Sequence, residues 1–104
     1  NYNQPSNAIV PKGISLEQNY PNPFNPLTKI RFSLDQSGPV RLSVYNLIGQ
    51  EVRSLLNNRE LSSGYHTEIW DGHDNNGRAL PTGNYFYKIE QNGIVVNKKM
   101  LLMK

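Results

Sequence analysis

The sequence predicts an all-β chain, an antiparallel β-sandwich of seven strands. Three observations carry that prediction. Short runs alternate apolar and polar residues with a period of two. Turn residues recur at intervals of about 8–12 positions, the spacing of small sandwich domains. No long run shows the 3.6-residue period of a helix. The 104 residues suit one domain with one modest core.

Residues 1–13 are polar, aperiodic and punctuated by Pro5 and Pro11, and are expected to be a linker. The chain opens on Asn1 without a leader pattern, as expected for a piece of a longer protein, and Lys104 is expected to be a native end. The folded domain is expected over 14–104, beginning with a short strand, Ile14–Gln18. Lys29–Leu34 alternates without a fault, with Ile30, Phe32 and Leu34 facing one way. Val40–Tyr45 alternates again, with Val40, Leu42 and Val44 inward. The Gln36-Ser37-Gly38-Pro39 segment between these runs predicts a hairpin. Asn46–Gly49 is a turn carrying Leu47 and Ile48, with a glycine suited to positive φ. Gln50–Leu56 reads as a strand, with a short helix as its competitor because Leu55-Leu56 breaks the alternation. Asn57–Gly64 then reads as a polar connection.

Tyr65–Trp70 is the next strand, followed by turns over Asp71–Arg78 and Pro81–Gly83. Tyr85–Glu90 places Tyr85, Tyr87 and Ile89 on one face. Asn92-Gly93 suits the two positive-φ positions of a type I′ hairpin turn. The last run, Ile94–Met103, puts Lys98 in the same parity as Val96, Met100 and Leu102. That predicts either a bulge or a sheet-edge position at Lys98. The strand count and spacing point to an immunoglobulin or fibronectin III-like sandwich.

The chain has no Cys, which excludes disulfides, thiol catalysis and thiolate metal sites. The core must then be anchored by aromatic rings, and Trp70, Tyr85 and Tyr87 are the candidates. The net charge of +3, from 11 Lys and Arg against 8 Asp and Glu, is too mild for a nucleic-acid partner. No run approaches the ~20 apolar residues of a membrane-spanning helix, so no membrane insertion is expected.

Asn19-Tyr20-Pro21-Asn22-Pro23-Phe24-Asn25-Pro26 is the most unusual segment. Three prolines in six residues fix φ at their positions, so the segment is stiff and cannot form a regular ladder. It reads either as a rigid connection with Phe24 plugging one end of the sandwich, or as a recognition epitope. Trp70-Asp71-Gly72 with Asp74 and Gly77 reads as a structural turn with Trp70 inward. The spacing fails a calcium loop, because Gly72 and His73 stand where a ligand is needed. His66, Glu68, Asp71 and His73 bear zinc-ligating groups, but nothing in the spacing brings them together. No metal or cofactor is expected. No Ser lies in a Gly-x-Ser-x-Gly elbow, and the chain is read as a non-enzyme. Tyr45, Tyr65 and Phe86 could form a sugar-stacking platform. The alternative function is therefore a non-catalytic carbohydrate-binding or spacer module of a secreted enzyme.

Five segments, in order, resemble the type IX secretion system type A C-terminal sorting domain. They are Leu16–Pro26, Val44–Val52, Gly64–Gly72 with Asp74 and Gly77, Gly83–Lys88, and the basic-apolar Lys98–Lys104. The immunoglobulin-like domain of flagellar hook capping proteins is similar in its Trp-Asp-Gly and Gly-x-Tyr blocks. The resemblance implies a secretion signal that carries an upstream cargo through the outer membrane, then is cleaved or used for cell-surface anchoring. It implies the type IX translocon and an associated sortase-like peptidase as partners, and a secreted or cell-surface location. By this likeness Gly83, Tyr85, Lys98, Lys99, Met100, Leu102 and Lys104 are the sorting-signal residues. Asn19–Pro26 is the opening motif, and Trp70, Asp71, Gly72, Asp74 and Gly77 form turn and core. The last strand would be read by edge addition, which would also permit a strand-mediated dimer. One departure is Glu68, where the family usually has an apolar residue two before the Trp. That puts the inward parity of this strand in question.

Overall fold

A computed structural model describes residues 13–104. The predicted linker lies outside the described residues apart from Gly13. The strands are β1 (Ile14–Leu16), β2 (Thr28–Leu34), β3 (Gly38–Tyr45), β4 (Glu51–Leu61), β5 (Gly64–Trp70), β6 (Gly83–Gln91) and β7 (Ile94–Leu102). They form two sheets, ordered β1-β2-β5 and β4-β3-β6-β7, and every paired neighbour is antiparallel. The seven-stranded sandwich is the predicted class.

The inner faces are those the alternation marked. Ile30, Phe32 and Leu34 of one sheet meet Val40, Leu42, Val44, Tyr87 and Ile89 of the other, all fully buried. Trp70 sits between Phe24 and Tyr85, with ring centroids 5.6 and 5.7 Å away. Burying rings of this size contributes on the order of 2–3 kcal/mol each, which replaces the disulfide this core lacks.

Two expectations are corrected. β2 and β3 are not a hairpin, because they belong to different sheets. β2 is flanked by β1 and β5, and β3 by β4 and β6, so neither has a free border for the other. The short link instead turns the two apolar faces toward each other. Gln91 Nε2 satisfies its carbonyls, donating to Gln36 at 3.0 Å and Gly38 at 3.4 Å. The second correction concerns β4, which is neither helical nor finished at Leu56. It runs on to Leu61 through the predicted polar connection. Its pairing with β3 slips at three places, and Asn58 takes φ 53°. These bulges insert extra residues into β4, so Leu55 and Leu56 both reach the core.

The parity of β5 is regular despite Glu68. His66, Glu68 and Trp70 share the inner face, and Ile69 faces solvent. The Asn92-Gly93 turn has φ 52° and 80°, as the type I′ reading requires. The β6–β7 register is unbroken from Gly83↔Leu102 to Gln91↔Ile94. Lys98 is therefore at an edge strand and not at a bulge.

Candidate functional site

The opening motif and the closing strand meet. Phe24 donates its N–H to the Leu101 carbonyl at 3.0 Å, and Met103 donates back to the Phe24 carbonyl at 2.9 Å. The two segments thus form a parallel bridge, Phe24↔Leu102. Leu101 N–H donates to Asn22 Oδ1 at 3.0 Å, and Gln18 Nε2 donates to the Lys99 carbonyl at 2.8 Å. The outer border of β7 is covered in this way from Lys99 to Met103. Among the described residues, Val95–Asn97 carries no such cover. The proline-locked geometry explains the pattern: a segment unable to form a ladder can still offer one residue, Phe24, as a strand partner. The Phe24 side chain is only 1% exposed, as the plug reading expected. Tyr20 is 78% exposed.

A buried hydroxyl anchors the start of this motif. Tyr87 Oη donates to the Glu17 carbonyl at 2.7 Å and accepts the Asn19 N–H at 2.8 Å. Burial pushes the Tyr87 pKa up to about 12, against the smaller lowering effect of the Asn19 N–H. Asn19 is itself buried, and its Nδ2 donates to Thr28 Oγ1 at 2.9 Å. Thr28 Oγ1 donates on to the Pro21 carbonyl at 2.9 Å. Sequence reasoning named Asn19 but missed Gln18, Thr28 and the bracing role of Tyr87. The available signal was that a core tyrosine needs a partner for its hydroxyl.

The sorting-signal residues divide by burial. Lys99 and Lys104 are exposed, and Lys98 and Gly83 are half-buried. Tyr85, Met100 and Leu102 are buried. Tyr85 Oη donates to the Pro81 carbonyl at 2.7 Å, and burial raises its pKa. Lys99 lies on the outer face of β7 opposite Phe86, which lies opposite Tyr45. The tail is held at its end by Lys104 N–H, which donates to Thr82 Oγ1 at 3.1 Å.

The Trp70–Gly77 segment is a turn closed by its own side chains. Trp70 Nε1 donates to the His73 carbonyl at 3.0 Å, and Asp71 Oδ1 accepts the His73 N–H at 3.1 Å. Asp74 Oδ1 accepts the N–H groups of Asn76 and Arg78, each at 2.9 Å. The Arg78 N–H is the largest influence holding the Asp74 carboxyl below its usual range. Asn75 Oδ1 accepts the Ser54 N–H at 2.9 Å, which docks the loop on the border of β4.

His66 bonds the Ser62 carbonyl at 2.7 Å and stacks on Phe32, while His73 is engaged with Asp71. Among the described residues, no three His, Asp or Glu side chains gather as a metal-binding group. The three aromatics of the sugar-binding reading do not share a surface. Tyr45 and Phe86 lie side by side on the four-stranded sheet, whereas Tyr65 lies on the other sheet under Arg31, 4.6 Å from its ring centroid.

A family model described as the secretion system C-terminal sorting domain matches residues 18–103. Among solved structures, the chain is similar to dimeric latent PorU from Porphyromonas gingivalis, with TM-score 0.68 and 20% identity over 91% of this chain and 10% of that one. It is similar to PorZ, an essential bacterial surface component of the type IX secretion system of the same organism. There the TM-score is 0.57 and the identity 14%, over 88% of this chain and 12% of that one. It is also similar to FLGD from P. aeruginosa, with TM-score 0.54 and 25% identity over 73% and 59%. The chain thus spans about a tenth of the first two proteins' length. No curated protein matches.

Proposed function

The chain belongs to the family of secretion system C-terminal sorting domains, and from that premise we propose how this fold delivers its signal. Such a domain is the C-terminal signal of the type IX secretion system, and it marks its cargo for the cell surface or for secretion. The domain acts as a folded handle. Residues 14–104 are the handle and 1–13 the tether to the cargo. The cations Lys98, Lys99 and Lys104 are the groups a translocon component reads.

The observation that supports this is the docking of Asn22 and Phe24 on Leu101 and Met103. It fixes the tail as part of a rigid surface, and a preorganised surface loses little entropy when it is bound. It also covers the border of Lys99–Met103, so strand addition there would have to displace the opening motif. Recognition is therefore assigned to side chains. Buried Tyr85, Met100 and Leu102 act by holding the lysines in place, and Gly83 by shaping the turn beside them. The partners are the translocon and a sortase-like peptidase that cleaves or transfers the cargo after export. The Val95–Asn97 border, which no hydrogen bond of this kind reaches among the described residues, is where a strand-mediated dimer would form.

The test fuses residues 1–104 to a fluorescent periplasmic reporter in a type IX-competent bacterium and in a strain lacking the machinery. Export in the first and retention in the second is expected. The triple variant Lys98→Gln, Lys99→Gln, Lys104→Gln is expected to fold normally and lose export at least about tenfold, as for removal of several charge-assisted contacts. Retention of the parent fusion in both strains would refute the handle. Normal export of the triple variant would refute the role of the lysines.

A further inference from the structure

At one end of the sandwich the Asn46–Gly49 turn projects two aliphatic side chains into solvent. Leu47 is 62% and Ile48 80% exposed. The turn is not loose. Asn46 Oδ1 accepts the N–H groups of Ile48 at 3.1 Å and Gln50 at 2.9 Å. Its Nδ2 donates to Gln50 Oε1 at 2.9 Å, and the Asn46 and Gly49 N–H groups close the turn at 3.0 Å each. Glycine supplies the φ of 86° that this geometry needs. A rigid turn that shows its two largest apolar side chains to water gains nothing in folding from them, and rigid apolar anchors are what binding surfaces use.

The neighbours of the turn are residues already tied to the signal. A concavity of about 320 Å³ is lined by Leu47, Ile48, Thr82, Gly83 and Asn84. Thr82 holds Lys104, and Met103 beside it is also exposed. A second concavity of about 320 Å³ on the other flank of the turn is lined by Tyr45, Leu47, Phe86 and Lys88. Lys88 Nζ lies 4.9 Å from the Tyr45 ring centroid, and Lys99 is opposite Phe86. Lys88 thus borders the apolar tip, with Lys99 one strand further across Phe86 and the main chain of Lys104 held at Thr82. Of the nearby carboxylates, Glu51 stands beside Tyr45, 3.5 Å from its hydroxyl, as the one negative charge at the base of the turn among the described residues, and Glu90 lies further along the sheet opposite Arg41.

We propose that Leu47 and Ile48 form the apolar anchor of the translocon-binding surface, seated in an apolar socket of a protein partner whose rim carries carboxylates for Lys88, Lys99 and Lys104. The inference rests on the sorting function and names residues for it that lie outside the tail. A protein socket fits because the tip is convex and aliphatic, whereas the charge around it selects an acidic rim.

The export assay with the full chain tests it. Leu47→Ser with Ile48→Ser is expected to cut export at least tenfold with an unchanged melting temperature. Leu27→Ser with Ile69→Ser, aliphatics at and just before the other sheet that are 52% and 56% exposed, is expected to export within twofold of the parent. Lys88→Glu with Lys99→Glu is expected to reduce export several-fold. Should the serine pair melt at a lower temperature, Leu47→Ala with Ile48→Ala takes its place, with the same expectation. A parent fusion exported only by the competent strain, together with a turn variant exported within twofold, overturns this inference and leaves the sorting reading standing. Equal loss in the Leu27 and Ile69 variant overturns the assignment to this end. Undiminished export of the lysine variant refutes the acidic rim. A parent fusion that is not exported at all removes the sorting reading and this inference together.

Discussion

Phe24 and Leu101 are joined by a main-chain hydrogen bond of 3.0 Å although 77 positions separate them. The fold therefore closes by seating its first motif on its last strand. Phe24 also fills the space beside Trp70. Phe24→Ala removes a buried ring and leaves a cavity, at an expected cost of about 3–5 kcal/mol. Urea titration of the isolated chain measures this. Hydrogen exchange should show the Met103 amide losing protection more than amides at the β2–β5 pairing.

Tyr87→Phe deletes one hydroxyl and strands two backbone groups, the Glu17 carbonyl and the buried Asn19 N–H. The expected loss is about 1–3 kcal/mol, most of it from the unsatisfied N–H. The variant also isolates a pH effect. Tyr87 is held neutral, with its pKa raised to about 12 from 10.0. A raised pKa means that its contribution to stability is complete below pH 10 and is lost as pH rises through about 12. The parent minus variant difference in unfolding free energy should be flat from pH 7 to 9 and shrink above 10. A difference that stays constant to pH 12 would show that the hydroxyl ionises as freely in the fold as in the unfolded chain.

Which faces are buried was legible in the sequence, and which strands pair was not. Period-two alternation reports the side of a strand, and it placed Ile30, Phe32, Leu34, Val40, Leu42 and Val44 correctly. It carries no information about the neighbour, so the β2–β3 link read as a hairpin. β4 was misjudged because its bulges put Leu55 and Leu56 on one side, which in a perfect strand they could not share. The lysines of the tail were legible as charges. The cover over their strand was not, since it depends on backbone groups that every residue possesses. The Leu47-Ile48 tip was visible as an apolar turn, but only the fold sets it beside Thr82 and Gly83.

Gly72 and Asn92 both take positive φ, yet substitution should affect them in opposite senses. Gly72 has φ 77°, and an added Cβ would sit 3.5 Å from Leu102 Cδ2 and 3.6 Å from the Pro26 carbonyl oxygen. There is room, so the penalty of Gly72→Ala is conformational, about 1–2 kcal/mol. Asn92→Gly relieves a positive φ in the β6–β7 turn and should be neutral or stabilising by up to about 1 kcal/mol. Thermal melts of the two variants check both signs.

Leu102→Ala and Met103→Ala separate the tail's structural role from its displayed one. Leu102 is fully buried and Met103 half exposed, although the two are adjacent in the segment assigned to recognition. Truncating Leu102 should cost about 2–5 kcal/mol, and truncating Met103 should stay within about 0.5 kcal/mol, as surface changes do. A deletion of Met100–Lys104 removes two buried side chains and the backbone partners of Phe24, so loss of export by that deletion would report unfolding as much as recognition. Denaturation midpoints for the two point variants, set beside their export, discriminate the causes. If recognition reads displayed side chains, any export lost by Met103→Ala is lost at parental stability, and Leu102→Ala recovers export when the growth temperature is lowered enough to refold it. If instead the tail is read as an unfolded strand, the destabilised Leu102→Ala should be exported at least as well as the parent.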